Sequence, residues 1–65
     1  MRFDQHLVAA RGRLGWTQAE LARFLDMSAE WVSKVERGIA TPSAIAREGA
    51  LARLRRHEER AKKSE

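Results

Sequence analysis

The chemistry open to this chain is mainly that of charge. Thirteen Lys and Arg stand against nine Asp and Glu, giving a net charge of +4. The excess is uneven: residues 1–52 carry seven basic against six acidic side chains, residues 53–65 six against three. Such a balance favours a polyanionic partner, because each phosphate neutralised releases condensed counterions. What is missing narrows the field further. With no cysteine, neither a disulfide framework nor a thiolate zinc site is available, and His6 and His57 alone do not make a metal site. No constellation of Ser, His and acid for nucleophilic catalysis can be assembled, and there is no Gly-rich phosphate loop. Both histidines are expected on the surface. The expectation is no catalytic residue, no metal and no cofactor.

The elements that must position this charge are helical. Strand alternation is absent, and apolar residues recur at helical spacing. Phe3, Leu7, Ala10, Arg11 and Leu14 share one face of a first helix, with Asp4 as its expected cap and Gly15 as its stop. Thr17-Gln18-Ala19-Glu20 has the capping-box form, in which the Thr17 hydroxyl and the Glu20 carboxylate each accept from the other's backbone N–H. Leu21, Ala22 and Leu25 line the inner face of the short helix that follows. Ser28 caps a third, with Val32 and Val35 facing inward and Gly38 ending it. Thr41 and Pro42 mark the next start, as cap and first helical residue. Beyond them Ile45, Ala46, Ala50, Leu51, Ala52 and Leu54 spread almost all round one long helix. A surface helix needs a single apolar stripe, so this one is expected to pack against its own domain and against a partner. From His57 the tail is charged and expected to fray; it either extends the long helix and helps the dimer, its charges solvated, or adds phosphate contacts.

Thr17 and Ser28 are two helix starts only eleven residues apart, separated by the break Asp26-Met27-Ser28. A helix-turn-helix joins two helices at roughly 90–120° through such a turn, commonly with a left-handed glycine. Asp26 holds that position, and Asp is among the few residues that tolerate positive φ. Met27 is then expected to fold back into the core. At these residues the chain resembles the Cro and lambda-repressor-like, or XRE-type, helix-turn-helix regulators. The resemblance lies in Leu14-Gly15-Trp16-Thr17-Gln18-Ala19-Glu20-Leu21-Ala22, then Val32-Ser33-Lys34-Val35-Glu36-Arg37-Gly38, then Thr41-Pro42-Ser43. It spans about residues 4–54 and departs from the family in Asp26 and in a single long helix where two are usual. The implied fold is all-α: a compact four- to five-helix lambda-repressor-like domain over residues 1–65, with core 4–54 and basic tail 55–65.

The resemblance also implies roles. The third helix would enter the major groove of DNA and present Ala29, Glu30, Ser33 and Lys34 to the bases. Lys34 suits guanine O6 and N7, Glu30 cytosine N4, Ala29 a thymine methyl, and Ser33 either kind of edge. Gln18 at a helix N-terminus, with Thr17, Arg37, Thr41 and Ser43, would contact phosphates; Thr17 is equally explained by capping, and Arg13 and Arg23 read as solvated charge. Arg11 lies among apolar positions, a costly place for an unpaired charge, and the family pairs such an Arg with a Glu at the place of Glu36. Trp16 is expected in the core, and Trp31 either at the core rim or beside the sugar-phosphate backbone.

A domain of this size buries only about 60% of its unfolded surface, and small chains without staples are often stabilised by oligomerising. A homodimer through Ala50, Leu51 and Leu54 is expected. No apolar run approaches the ~20 residues of a membrane span, and Met1-Arg2-Phe3-Asp4 is no secretory signal. The expected location is the cytoplasm of a bacterium or phage host. The expected function is a repressor that binds a palindromic operator and autoregulates, with no effector domain, of a phage or anti-CRISPR-associated type. The alternative is an antitoxin that binds a partner protein through the long helix and tail.

Overall fold

In the computed structural model, which describes residues 2–63, four helices follow one another: α1 (Phe3–Leu14), α2 (Gln18–Leu25), α3 (Ala29–Glu36) and α4 (Ala44–Lys63). Met1 and the last two residues of the expected tail lie outside the described residues. No strand occurs among those described.

The first three helices end alike, and this sets the path of the chain. At each end one residue adopts positive φ, and the next donates its N–H to a carbonyl five residues back. Gly15 (φ 69) is followed by a 3.0 Å bond from Trp16 to Arg11. Asp26 (φ 59) is followed by a 2.8 Å bond from Met27 to Ala22, and Gly38 (φ 77) by a 2.9 Å bond from Ile39 to Lys34. These are Schellman closures, which satisfy carbonyls left over at a helix end. Among the described residues Asp26 is the one non-glycine that takes this conformation. The turn therefore forms as in a chain with glycine there, at the cost of a side chain in the left-handed region.

The starts correct two sequence expectations. Thr17 and Ser28 cap as expected: Thr17 Oγ1 accepts from Glu20, Glu20 Oε1 accepts from the Thr17 N–H at 2.9 Å, and Ser28 Oγ accepts from Trp31. Asp4, however, lies within the first turn of α1, where the helix dipole favours an acid. The chain enters α1 at Arg2, whose N–H donates to the Gln5 side chain at 3.3 Å. Helix α4 starts two residues later than expected because Ser43, not Thr41, is the cap: its Oγ accepts from the Ala46 N–H at 3.2 Å. Pro42 consequently precedes the helix.

The core is small. Leu7 and Ala10 come from α1, Leu21, Ala22 and Leu25 from α2, Val32 and Val35 from α3, and Ala50 and Leu54 from α4. Met27 does not join it; it stays 41% exposed beside Trp31 and Ala46. Nor does α4 bury several sides. Residues 44–49 are all exposed, and the helix meets its own domain along one stripe centred on Ala50 and Leu54. These two, expected at a dimer contact, are only 7% and 4% exposed within the single chain, and Leu51 is half-buried. Among the described residues, the large apolar side chain that α4 leaves outside is Ile45, 84% exposed.

The second half of α4 does not fray at His57. The His57 ring sits 5.3 Å from Trp16 and 5.2 Å from Phe24, which are themselves 5.0 Å apart, closing an aromatic trio between α2, the α1–α2 loop and α4. Arg13 pairs with Glu58 at 2.8 Å, tying α1 to α4. His57 is thus half-buried packing rather than surface, and Arg13 is paired rather than simply solvated.

Candidate nucleic-acid interface

Two valines decide which way α3 faces. Val32 and Val35, three residues apart on the inner side, are 0% and 1% exposed. Burying such a side chain favours folding by about 1.5–3 kcal/mol, so the helix cannot readily roll. The opposite side then carries Ala29, Glu30 and Lys34, all exposed, with Ser33 half-buried at its edge. All four residues expected to read bases thus share the outward side of one helix. Lys34 Nζ and Glu30 Oε1 form an ion pair at 3.0 Å across one turn. Glu30 in the first turn and Lys34 in the last both suit the dipole of α3.

A polar network locks α3 from behind. Arg11 grips Glu36 with two nitrogens: Nε donates to Oε2 at 2.7 Å and a terminal nitrogen to Oε1 at 2.9 Å. Its other terminal nitrogen donates to the Trp16 carbonyl at 3.2 Å. One guanidinium therefore joins the end of α1, the α1–α2 loop and the end of α3. The Glu36 side chain is only 5% exposed and that of Arg11 23%. The hydrogen bond to Glu36 and its charge raise the Arg11 pKa against the opposing effect of burial. For Glu36, burial pushes the pKa up, but the hydrogen bonds from Arg11 and Gln18 and the Arg11 charge outweigh it and hold the carboxyl below its ordinary value.

Gln18 has a role that the sequence did not suggest. Its Nε2 donates to Glu36 Oε1 at 3.0 Å, so the residue expected at a phosphate also ties the start of α2 to the end of α3. An amide nitrogen carries two protons, and the second remains for a phosphate. Nothing in the residue's position along the chain signals this contact, since the partners are eighteen residues apart.

The other expected phosphate contacts lie at helix ends. Thr17 is exposed and capping. Arg37 is exposed just beyond α3, with Nε 3.4 Å from the Ser33 carbonyl. Thr41 and Ser43 are exposed on the α3–α4 connection; the capping Ser43 hydroxyl still has its own proton to donate. Thr41 shares a cleft with Arg2 and Arg47, two cations missed from sequence because neither stands near a recognisable motif. Trp31 is half-buried against the core and borders the groove between α3 and α4 with Met27 and Ala46. That is the core-rim position.

Two short helices crossing through a left-handed turn, the second with a polar outward face, define a helix-turn-helix DNA-binding domain. Residues 5–61 match the family described as a helix-turn-helix domain, and the chain belongs to it, in its XRE or Cro-like branch. No curated protein and no solved structure matches the chain. Among the described residues no helix is long and apolar enough to cross a membrane, and no cluster of potential metal ligands occurs.

Proposed function

We propose that the protein is a sequence-specific transcriptional repressor, bound as a homodimer to an inverted-repeat operator and controlling its own operon. The observation that carries this reading is the outward face of α3. Two buried valines and the Arg11–Glu36 pair hold that helix fixed, so Ala29, Glu30, Ser33 and Lys34 reach a groove together. In a dimer two such helices would lie about one helical turn, ~34 Å, apart. The net charge of +4 supplies the non-specific attraction to phosphates. Repression would follow from occupancy, by excluding polymerase. For the dimer contact, Ala50 and Leu54 are already used inside the chain; of the exposed large apolar side chains Val8, Met27, Ile39 and Ile45, the last two are the most exposed and the best candidates.

Those same two residues support a second reading, an antitoxin whose main work is to bind a partner protein. The deciding measurement is binding to the DNA upstream of the protein's own gene, at two salt concentrations, with wild type and Lys34→Ala. A repressor should protect two symmetric half-sites with a steep logarithmic salt slope. Equal affinity for a scrambled duplex would defeat the sequence-specific reading. Biological activity that survives in Lys34→Ala without operator binding would favour the antitoxin.

A further inference from the structure

The Lys34–Glu30 pair holds an ammonium and a carboxylate 3.0 Å apart on the outer face of α3, with the side chains 46% and 75% exposed. Glu four residues before Lys is the favourable order on a helix, and modest helix support is one consequence. Support alone does not explain a carboxylate on the face that meets a polyanion. Inside a groove Glu30 would lose water and lie among phosphates unless a base N–H took the place of that water. The major groove offers such donors at cytosine N4 and adenine N6.

Resting on the reading that α3 enters the major groove, we propose that Glu30 and Lys34 act as one unit that reads a single G·C pair. Lys34 donates to guanine O6 and N7, while Glu30 accepts from cytosine N4 of the same pair. The order of donors and acceptors carries the argument, and the spacing permits it. Successive base pairs are ~3.4 Å apart along the duplex axis, so two head groups 3.0 Å apart fit within one base-pair layer. In a G·C pair O6 and N4 are hydrogen-bonded to each other, at about 2.9 Å, an acceptor beside a donor that mirrors the protein's donor beside an acceptor. The proton count closes as well. An ammonium has three donors: one stays on Glu30 Oε1, and two serve O6 and N7. The second Glu30 oxygen is left for N4. An A·T pair also sets a donor beside an acceptor, but it gives Lys34 one acceptor in place of two and puts the thymine methyl next to it.

The test is selection from randomised duplexes with wild type, Lys34→Ala, Glu30→Ala and the double variant, each first shown by circular dichroism to be folded. Wild type should enrich a fixed G·C pair in each half-site. Each single variant should lose about tenfold discrimination at that same pair and keep the rest of the site. The double variant should lose little more than the worse single, as coupled residues do. Relaxation at two different positions, or at none, would overturn the single-pair unit while leaving a sequence-specific protein. A wild type that enriches no sequence at all would overturn the operator reading and this inference with it.

Discussion

Replacing Arg11 by Ala tests the device that holds α3 in place. The substitution removes both bonds to Glu36 and the bond to the Trp16 carbonyl. Glu36, 5% exposed at its side chain, would keep only the Gln18 amide. Removing one partner of a buried ion pair costs about 3–5 kcal/mol. Because the Arg11 side chain is 23% exposed, water can partly refill its place, and the lower end, about 3 kcal/mol, is expected. A chain of this length has a total stability on the order of 3–10 kcal/mol, so the loss is a large share of it. In a domain this small it corresponds to a fall in Tm of roughly 12–24 °C, followed by far-ultraviolet circular dichroism. The pH dependence adds a sign. In wild type Glu36 has a depressed pKa, so its contribution is complete above the unfolded carboxylate value of ~4.3 and is lost as pH falls through the folded value. In Arg11→Ala burial meets less opposition and the Glu36 pKa rises. The charged form then destabilises the fold, and the gap to wild type should narrow as pH falls from about 7 towards 4. Should the variant unfold outright at 25 °C, Arg11→Met with Glu36→Met should recover much of the loss, since apolar replacement of a whole pair is often neutral or better. A Tm within about 4 °C of wild type, or pH profiles that run parallel, would refute the reasoning.

Asp26→Gly should stabilise the protein by about 1 kcal/mol, because it relieves a left-handed side chain and an acid at a helix C-terminus; urea denaturation reads this directly, and a loss of stability would show that the Asp26 carboxylate supports the turn. Ile45→Lys should keep the helical circular-dichroism spectrum, since the side chain is 84% exposed within the chain, yet shift sedimentation towards the monomer, lower Tm by the stabilisation the dimer supplied, and weaken operator binding at least tenfold. An unaltered sedimentation profile would remove Ile45 from the dimer contact. His57→Ala should cost about 1–2 kcal/mol by opening the ring trio; equal stability in thermal unfolding would mean that the trio adds nothing to the hold on α4.

Much of the fold was legible because its signals are local. The caps at Thr17 and Ser28, the stops at Gly15 and Gly38, and the inward spacing of Val32 and Val35 each act within one or two turns of chain. Such local bonds form wherever the residues stand, and they already imply which side of α3 is left for solvent. The sequence went wrong where neighbours compete. Thr41 and Ser43 are both good caps, and in the fold it is Ser43 that takes the role. Met27 is as apolar as a core residue, but the small core closes without it. Ala50 and Leu54 looked like partner contacts because a helical wheel shows apolar sides without saying which the same chain covers.

Composition and local pattern alone determined that the chain is helical, basic and broken at Asp26, since these follow from residue type and short-range geometry. Only the tertiary structure could decide what long-range contact decides: that Gln18 turns one proton inward to Glu36, that His57 joins Trp16 and Phe24, and that Arg13 of α1 pairs with Glu58 of α4. The physical reason is that these partners meet through packing rather than succession. A residue's reach along the chain is one turn, whereas its reach through the core depends on how every other helix has already been placed.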